Sequence, residues 1–288
     1  NIYIADSDNQ RIVKWAPGAI SGTVVASGIY AWDIHVDSSG NIYSSDYSNR
    51  RVMKYTLESD GTYTATVVAG GNGNGSNNNQ FSSPRGIHVD ASNNIYVADQ
   101  SNHRVMKWAS VGSEGTVVAG GNVTANDWGG YSTGNATNQL NNPIGIHVDS
   151  SGNIYVADQS NHRVMKWAPG ASVGTLVAGV SGSQGSGTDK LNNPVGLDVD
   201  SSGNIYVADQ GNHRVMKWAP GASIGIMVAG TGSQGSEINQ LYNPYGVKVD
   251  SYGNLYVVDP NNHRIQFVKL SPEIEIVAGQ TTGTLTLT

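Results

Sequence analysis

The chain is 288 residues long, carries a net charge of −6 and contains no cysteine, so disulfides, thiolate metal sites and cysteine nucleophiles are excluded. The acidic balance also argues against nucleic-acid binding, where affinity comes largely from counterions displaced by Lys and Arg. No apolar run approaches the roughly 18 residues that a membrane-crossing helix needs, and regularly placed Val, Ile, Tyr and Trp among the 37 glycines mark a packed β protein with no membrane insertion.

The chain opens on Asn1-Ile-Tyr-Ile-Ala-Asp6, which is the middle of a unit that recurs along the sequence. An opening inside a repeat, with no leader ahead of it, reads as a processed or excised piece of something longer. Anchored on the Asn-Ile/Leu-Tyr triplet, the copies start at Asn1, Asn41, Asn94, Asn153, Asn204 and Asn254. The fullest copy is Gly145–Trp167, GIHVDSSGNIYVADQSNHRVMKW; Gly86–Trp108 nearly repeats it and Gly196–Trp218 differs slightly. Repetition at this scale decides the architecture.

Each unit reads as four short strands. In the fourth copy these are a (Gly145–Asp149), b (Ile154–Asp158), c (Arg163–Trp167) and d (Thr175–Ala178). Asp149-Ser-Ser-Gly-Asn153 makes the tight a–b turn. Strand b has apolar residues on both faces, Ile154 and Val156 against Tyr155 and Ala157, so it must be covered on both sides. A helical period appears nowhere. Six such units predict an all-β fold, a six-bladed β-propeller of four-stranded antiparallel blades, with residues 1–288 forming a single domain. The first unit lacks its strand a. The alternating Gly283-Thr-Leu-Thr-Leu-Thr288 is expected to supply it, with residues 284–288 closing the ring beside Ile2–Asp6.

The b–c turns read Asn102-His103-Arg104-Val105, Asn161-His162-Arg163-Val164, Asn212-His213-Arg214-Val215 and Asn262-His263-Arg264-Ile265. This pattern, across essentially the whole chain, resembles the NHL-repeat family of six-bladed propellers. The resemblance implies a fold used by RNA-binding domains, bacterial sensor domains, extracellular adhesion modules and a peptide-amidating lyase.

Residues present in every copy read as framework. The pairs Asp99/Arg104, Asp158/Arg163 and Asp209/Arg214, with their counterparts Asp6/Arg11, Asp46/Arg51 and Asp259/Arg264, are expected to fasten the b–c turn by charge-assisted hydrogen bonds. The turn histidines belong to the same frame. The a–b turn carboxylates Asp37, Asp149, Asp200 and Asp250 are too few per loop for calcium and read as plain turns.

Positions that differ between copies carry the functional candidates. The middle of strand a reads His35, His88, His147, Asp198 and Lys248 in successive blades. On the innermost strand these residues face a central channel, and the three imidazoles with Asp198 are candidate ligands for zinc or another divalent metal. Just ahead of strand a stand Trp32, Arg85, Ile144, Val195 and Tyr245, at the rim where the d–a loops and b–c turns crowd together. Trp32, Arg85 and Tyr245, together with Trp128 in the longest d–a loop, are the candidate contact residues. Asn74, Asn122 and Asn135 open Asn-X-Ser/Thr sequons in those loops and are candidate glycosylation sites.

The expected function is a secreted or cell-surface module that binds a protein or a glycan through the d–a/b–c face. The alternative from the resemblance is a metal-dependent lyase or hydrolase, with His35, His88 and His147 holding the ion. A structural scaffold that self-associates is the third reading.

Overall fold

A computed structural model describes residues 1–110, 112–121 and 133–270. These residues form six antiparallel sheets, each a consecutive up-and-down run of the chain, arranged as the blades of a propeller. In the fourth blade strand a is Pro143–Val148, b is Ile154–Asp158, c is Arg163–Trp167 and d is Thr175–Gly179. The second, third and fifth blades are four-stranded in the same way; the first (Ile2–Ser27) and sixth (Val247–Val268) show three strands each among the described residues. Among the described residues the first is without a strand a and the sixth without a strand d. Residues 284–288, expected to complete the first blade, lie outside the described residues.

Alternation along strand b sends its two faces into different cores. Ile154 and Val156 join Trp167 of their own blade and Tyr96, Ala98 and Val105 of the blade before. Tyr155 and Ala157 instead pack with Leu197, Ile205 and Trp218 of the blade after. Five such cores, each spanning two consecutive blades, lie among the described residues. A buried side chain of this size stabilises by about 1.5–3 kcal/mol, so no blade holds its shape without its neighbours. Phe81, Leu140, Leu191 and Leu241, on the d–a loops, are each 0% exposed and seal the tops of these cores. Lysines of strand c lie over tyrosines of strand b in five blades, as with Lys166 Nζ 5.1 Å from the centre of the Tyr155 ring. Those charges serve the frame.

Two local features differ from the sequence reading. Strand a begins two residues earlier than the repeat boundary, because the proline pairs with the last residue of strand b: Pro143 faces Asp158, and pairing resumes only at Ile146 opposite Val156. The two residues between, Ile144 and Gly145, form a bulge, and bulges re-aim side chains at a sheet's rim. The second feature is a 3₁₀ turn after strand b (Gln100–Asn102, Gln159–Asn161, Gln210–Asn212 and Pro260–Asn262), each closed by a histidine in the left-handed region, φ 51° to 55°.

The bulge explains a recurrent glycine. Gly86, Gly145 and Gly196 occupy its second position, where the backbone of the next blade's bulge lies against them. A Cβ on Gly196 would sit 2.5 Å from the Tyr245 carbonyl oxygen. Blades therefore meet backbone to backbone at the channel mouth. In the second blade the equivalent residue is Asp33, whose carboxylate instead reaches across to accept from Ile87 N–H of the third blade at 2.9 Å.

Candidate functional site

The turn fasteners are built alike in the third to sixth blades. Arg163 Nε donates to Asp158 Oδ2 at 2.7 Å, and Asn161 donates to the same oxygen at 2.8 Å. Asp158 Oδ1 accepts from Asn141 N–H, while the Arg163 Nη groups donate to the carbonyls of Asn135, Ala136 and Gln139 in the d–a loop. Asp99/Arg104 and Asp209/Arg214 repeat this arrangement, so each pair pins the loop that enters its own blade. Burial pushes the Asp158 and Asp209 carboxyls up, against the pull of these partners. The histidines bind blade to blade: His103 Nδ1 accepts from Asn142 N–H of the next blade at 3.1 Å, and His162 and His213 do the same one blade further on. The a–b turn carboxylates are likewise occupied, with Asp149 Oδ1 accepting from Ser151 and Asn153 N–H and Oδ2 from the Asn153 side chain.

The channel belt is drawn to one height because each member pairs with the strand-b tyrosine of its own blade: His35 with Tyr43, His88 with Tyr96, His147 with Tyr155, Asp198 with Tyr206 and Lys248 with Tyr256. Neighbouring imidazole rings lie 4.9 Å (His35 to His88) and 5.1 Å (His88 to His147) apart, centre to centre. His147 Nδ1 then meets Asp198 Oδ1 at 2.8 Å, and Lys248 Nζ donates to that oxygen at 3.2 Å. Asp198 Oδ2 accepts from Val249 N–H.

Burial, then the Lys248 charge, pushes the His35 pKa down to about 4; burial and the two flanking imidazoles push His88 down to about 2. Burial opposes the charge on Asp198, but Lys248 and His147 outweigh it and hold the carboxyl below the ordinary range. Lys248 is 62% accessible, from the channel lumen, and Asp198 and Asp33 raise its pKa although the walls around it work the other way. The belt is thus a row of three imidazoles ending on the Asp198–Lys248 ion pair. The sequence-predicted ligands His35, His88, His147 and Asp198 are brought into one row, and among the described residues no group of three or more His, Asp or Glu is arranged to hold an ion.

At the rim, the bulge aims its first residue at the channel mouth. Ile144 and Val195 are buried there, while Trp32, Arg85 and Tyr245 are half-buried. These three come together. The Arg85 guanidinium carbon lies 3.6 Å from the centre of the Trp32 ring and 4.1 Å from that of Tyr47, and Trp32 and Tyr245 meet edge to face at 5.3 Å. Arg85 Nε donates to Gln100 Oε1 at 2.8 Å. Desolvation lowers the Arg85 pKa and raises that of the Tyr245 phenol. Trp128 lies outside the described residues.

Tyr47 and Gln100 are the site residues that sequence reasoning missed. Both follow the strand-b aspartate, a position that reads Ser7, Tyr47, Gln100, Gln159, Gln210 and Pro260 around the ring. Comparing that position between copies would have found Tyr47. Of the sequons, Asn74 and Asn135 are exposed and Asn122 lies outside the described residues.

With this geometry in hand, residues 81–108, 140–167 and 191–218 match the NHL repeat family model, one strand a–b–c stretch each from the third, fourth and fifth blades. A human protein, NHL repeat-containing protein 3, is 34% identical over 80 residues, which cover 27% of this chain and 22% of that protein. The chain thus spans about a fifth of the length of that relative. Among solved structures, one described as an auxiliary nutrient binding protein from Bacteroides thetaiotaomicron superposes with a TM-score of 0.66 at 14% identity, covering 93% of this chain and 68% of that one. A chain of a nidogen/laminin complex superposes with a TM-score of 0.63 at 19% identity, covering 87% of this chain and 82% of that one. At these identities the structures share the fold alone.

Proposed function

The chain is an NHL-repeat six-bladed β-propeller, and from that premise we propose that it is a protein-binding module whose contact surface is the rim sector formed by Trp32, Tyr47, Arg85 and Tyr245. The observation that carries this reading is the convergence of non-repeated residues. Side chains from three different blades, each at a position that varies between copies, are packed into one half-buried cluster on an otherwise repeated frame. Trp, Tyr and Arg are the residue types that dominate binding energy at protein interfaces, because they offer large, stiff contact area with a polar end. Tyr30, 44% exposed, adjoins the same sector, its carbonyl accepting from Tyr47 N–H at 3.2 Å. Stacking holds the guanidinium in place before any partner arrives, which lowers the ordering cost of association. The two solved propellers with the same fold are described as a nutrient binding protein and as part of a protein complex, and both descriptions are of binding.

The test is a binding measurement on a partner selected from displayed peptides or proteins against the whole chain. Trp32→Ala, Arg85→Ala and Tyr245→Ala are each expected to weaken binding at least tenfold with the thermal melt retained. Unchanged affinity in all three would refute the assignment. A secreted or cell-surface location is part of the proposal: Asn74 and Asn135 stand on the same loop face, and protein from a glycosylating host is expected to lose mass on glycosidase treatment.

A further inference from the structure

Arginine is used in this fold in one dominant way. Arg11, Arg51, Arg104, Arg163, Arg214 and Arg264 each bond the aspartate that ends strand b of their own blade, at 2.6–3.0 Å. Arg85 departs from that pattern. Among the described residues no carboxylate lies within ion-pair distance of it; its contacts are two aromatic rings, the Gln100 amide and the Tyr47 hydroxyl. A half-buried cation held without a counter-charge is costly in itself, since desolvation penalises the charged form.

A second guanidinium shares the condition. Arg50 closes the b–c turn of the second blade at φ 54°, where later blades have histidine. Its Nη1 donates to Ser48 O at 3.4 Å, and its Nε is buried with no hydrogen-bond partner. In the third blade the residue at this turn position, His103, touches Asn142, two residues ahead of Ile144. Ile144 is the fourth blade's counterpart of Arg85. The turn that carries Arg50 therefore borders the loop that carries Arg85, and the two guanidiniums without a carboxylate partner among the described residues fall in one sector of the rim.

We propose that this sector receives a carboxylate from an acidic peptide segment of the partner protein, with Arg85 as the residue that bonds it and Arg50 in support; this rests on the rim reading above. A guanidinium presents planar paired N–H donors that match a carboxylate, and such charge-assisted bonds are among the stronger ones. Trp32, Tyr47 and Gln100 fix the plane of Arg85 and leave Nη donors for a ligand. The flanking rings exclude water, which strengthens the pairing. The acid comes from an Asp or Glu side chain or from a free C-terminus.

The experiment pans random peptides, with free C-termini, against the whole 288-residue chain. The best binder is then titrated in three synthetic forms: as selected, with Asp/Glu replaced by Asn/Gln, and C-terminally amidated. The expected result is that one neutralised form binds at least tenfold more weakly, and that Arg85→Gln removes the same factor without adding to it. Arg85→Lys should restore only part of the binding, and Arg50→Gln should have a smaller effect. Loss through the side-chain form assigns Asp/Glu; loss through the amidated form assigns the C-terminus. Peptides that bind equally well in all three forms would overturn the proposal; if they still required Trp32 and Tyr245, the rim reading would stand without it. Failure to select any peptide dependent on these residues would overturn both. Far-UV spectra and melting curves of Arg85→Gln and Arg85→Lys separate lost contact from lost fold.

Discussion

At the scale of single residues, one motif is placed in six environments, and its energetic weight is set by burial. The pair Arg104/Asp99 has both side chains at 0% exposure, whereas Arg11/Asp6 stands at 43% and 26%. Removing one partner from a buried pair strands the other and costs about 3–5 kcal/mol. An exposed pair contributes about 0–1 kcal/mol. Asp99→Asn should therefore lower stability by several kcal/mol in denaturant titration, while Asp6→Asn should lower it by less than about 1 kcal/mol. Equal losses at the two sites would show that burial does not set the cost. The channel histidines make a pH prediction. His35 and His88 have folded pKa values pushed to about 4 and about 2, below the usual 6.5, so below pH 6.5 the unfolded chain takes up protons that the folded chain refuses. Their contribution is complete above pH 6.5 and is lost as pH falls from 6.5 towards 4, and further towards 2 for His88. The lowered pKa values of His103 and His162 add to the same trend. Thermal melts should show Tm falling over pH 6.5 to 4, and His35→Gln with His88→Gln should flatten that slope.

At the scale of the element, strand a does more than line the channel. Its bulge turns one side chain to the mouth and brings a glycine against the backbone of the next blade. Gly145→Ala would force the bulges of the fourth and fifth blades apart, with a cost of about 1–3 kcal/mol as in overpacked cores. Gly152→Ala, in an a–b turn with φ 80° and open surroundings apart from Pro169, should cost about 1–2 kcal/mol through backbone strain alone, leaving the blade–blade contacts unchanged. Wild-type melting of Gly145→Ala would contradict the close-approach account. Strand positions were legible in the sequence because the two-residue period of Ile154 to Asp158 admits one alternation, and strand b fills five buried positions as that period requires. The bulge was not legible. Proline at 143 hid the pairing to Asp158, since proline reads as a strand boundary when it stands before an alternating run. The 3₁₀ turns were missed for a similar reason: three residues show no period, and a left-handed histidine is an uncommon choice for that conformation. The site was half legible. Variation between copies exposed Trp32, Arg85 and Tyr245, but their contact across three blades depends on the curvature of the ring, which no local pattern encodes.

At the scale of the whole molecule, the frame is repeated and nearly charge-balanced where arginine meets aspartate, and its departures from repetition gather in one place. The second blade holds most of them: Trp32 and Asp33 in the bulge, Ser44 and Ser45 in strand b where the third to fifth blades have Val and Ala, Tyr47 after it and Arg50 in the turn. The outer strands offer a competing surface, with Leu176 at 44% and Met227 at 48% exposure on the edges of the fourth and fifth blades. The direct discriminator is hydrogen–deuterium exchange on the full chain, with and without a saturating selected peptide. The account predicts new protection confined to residues 30–33, 47–50, 82–86 and 242–246, lost again in Arg85→Gln. Protection along the outer strands at 175–179 and 226–230, with the rim segments unchanged, would contradict it.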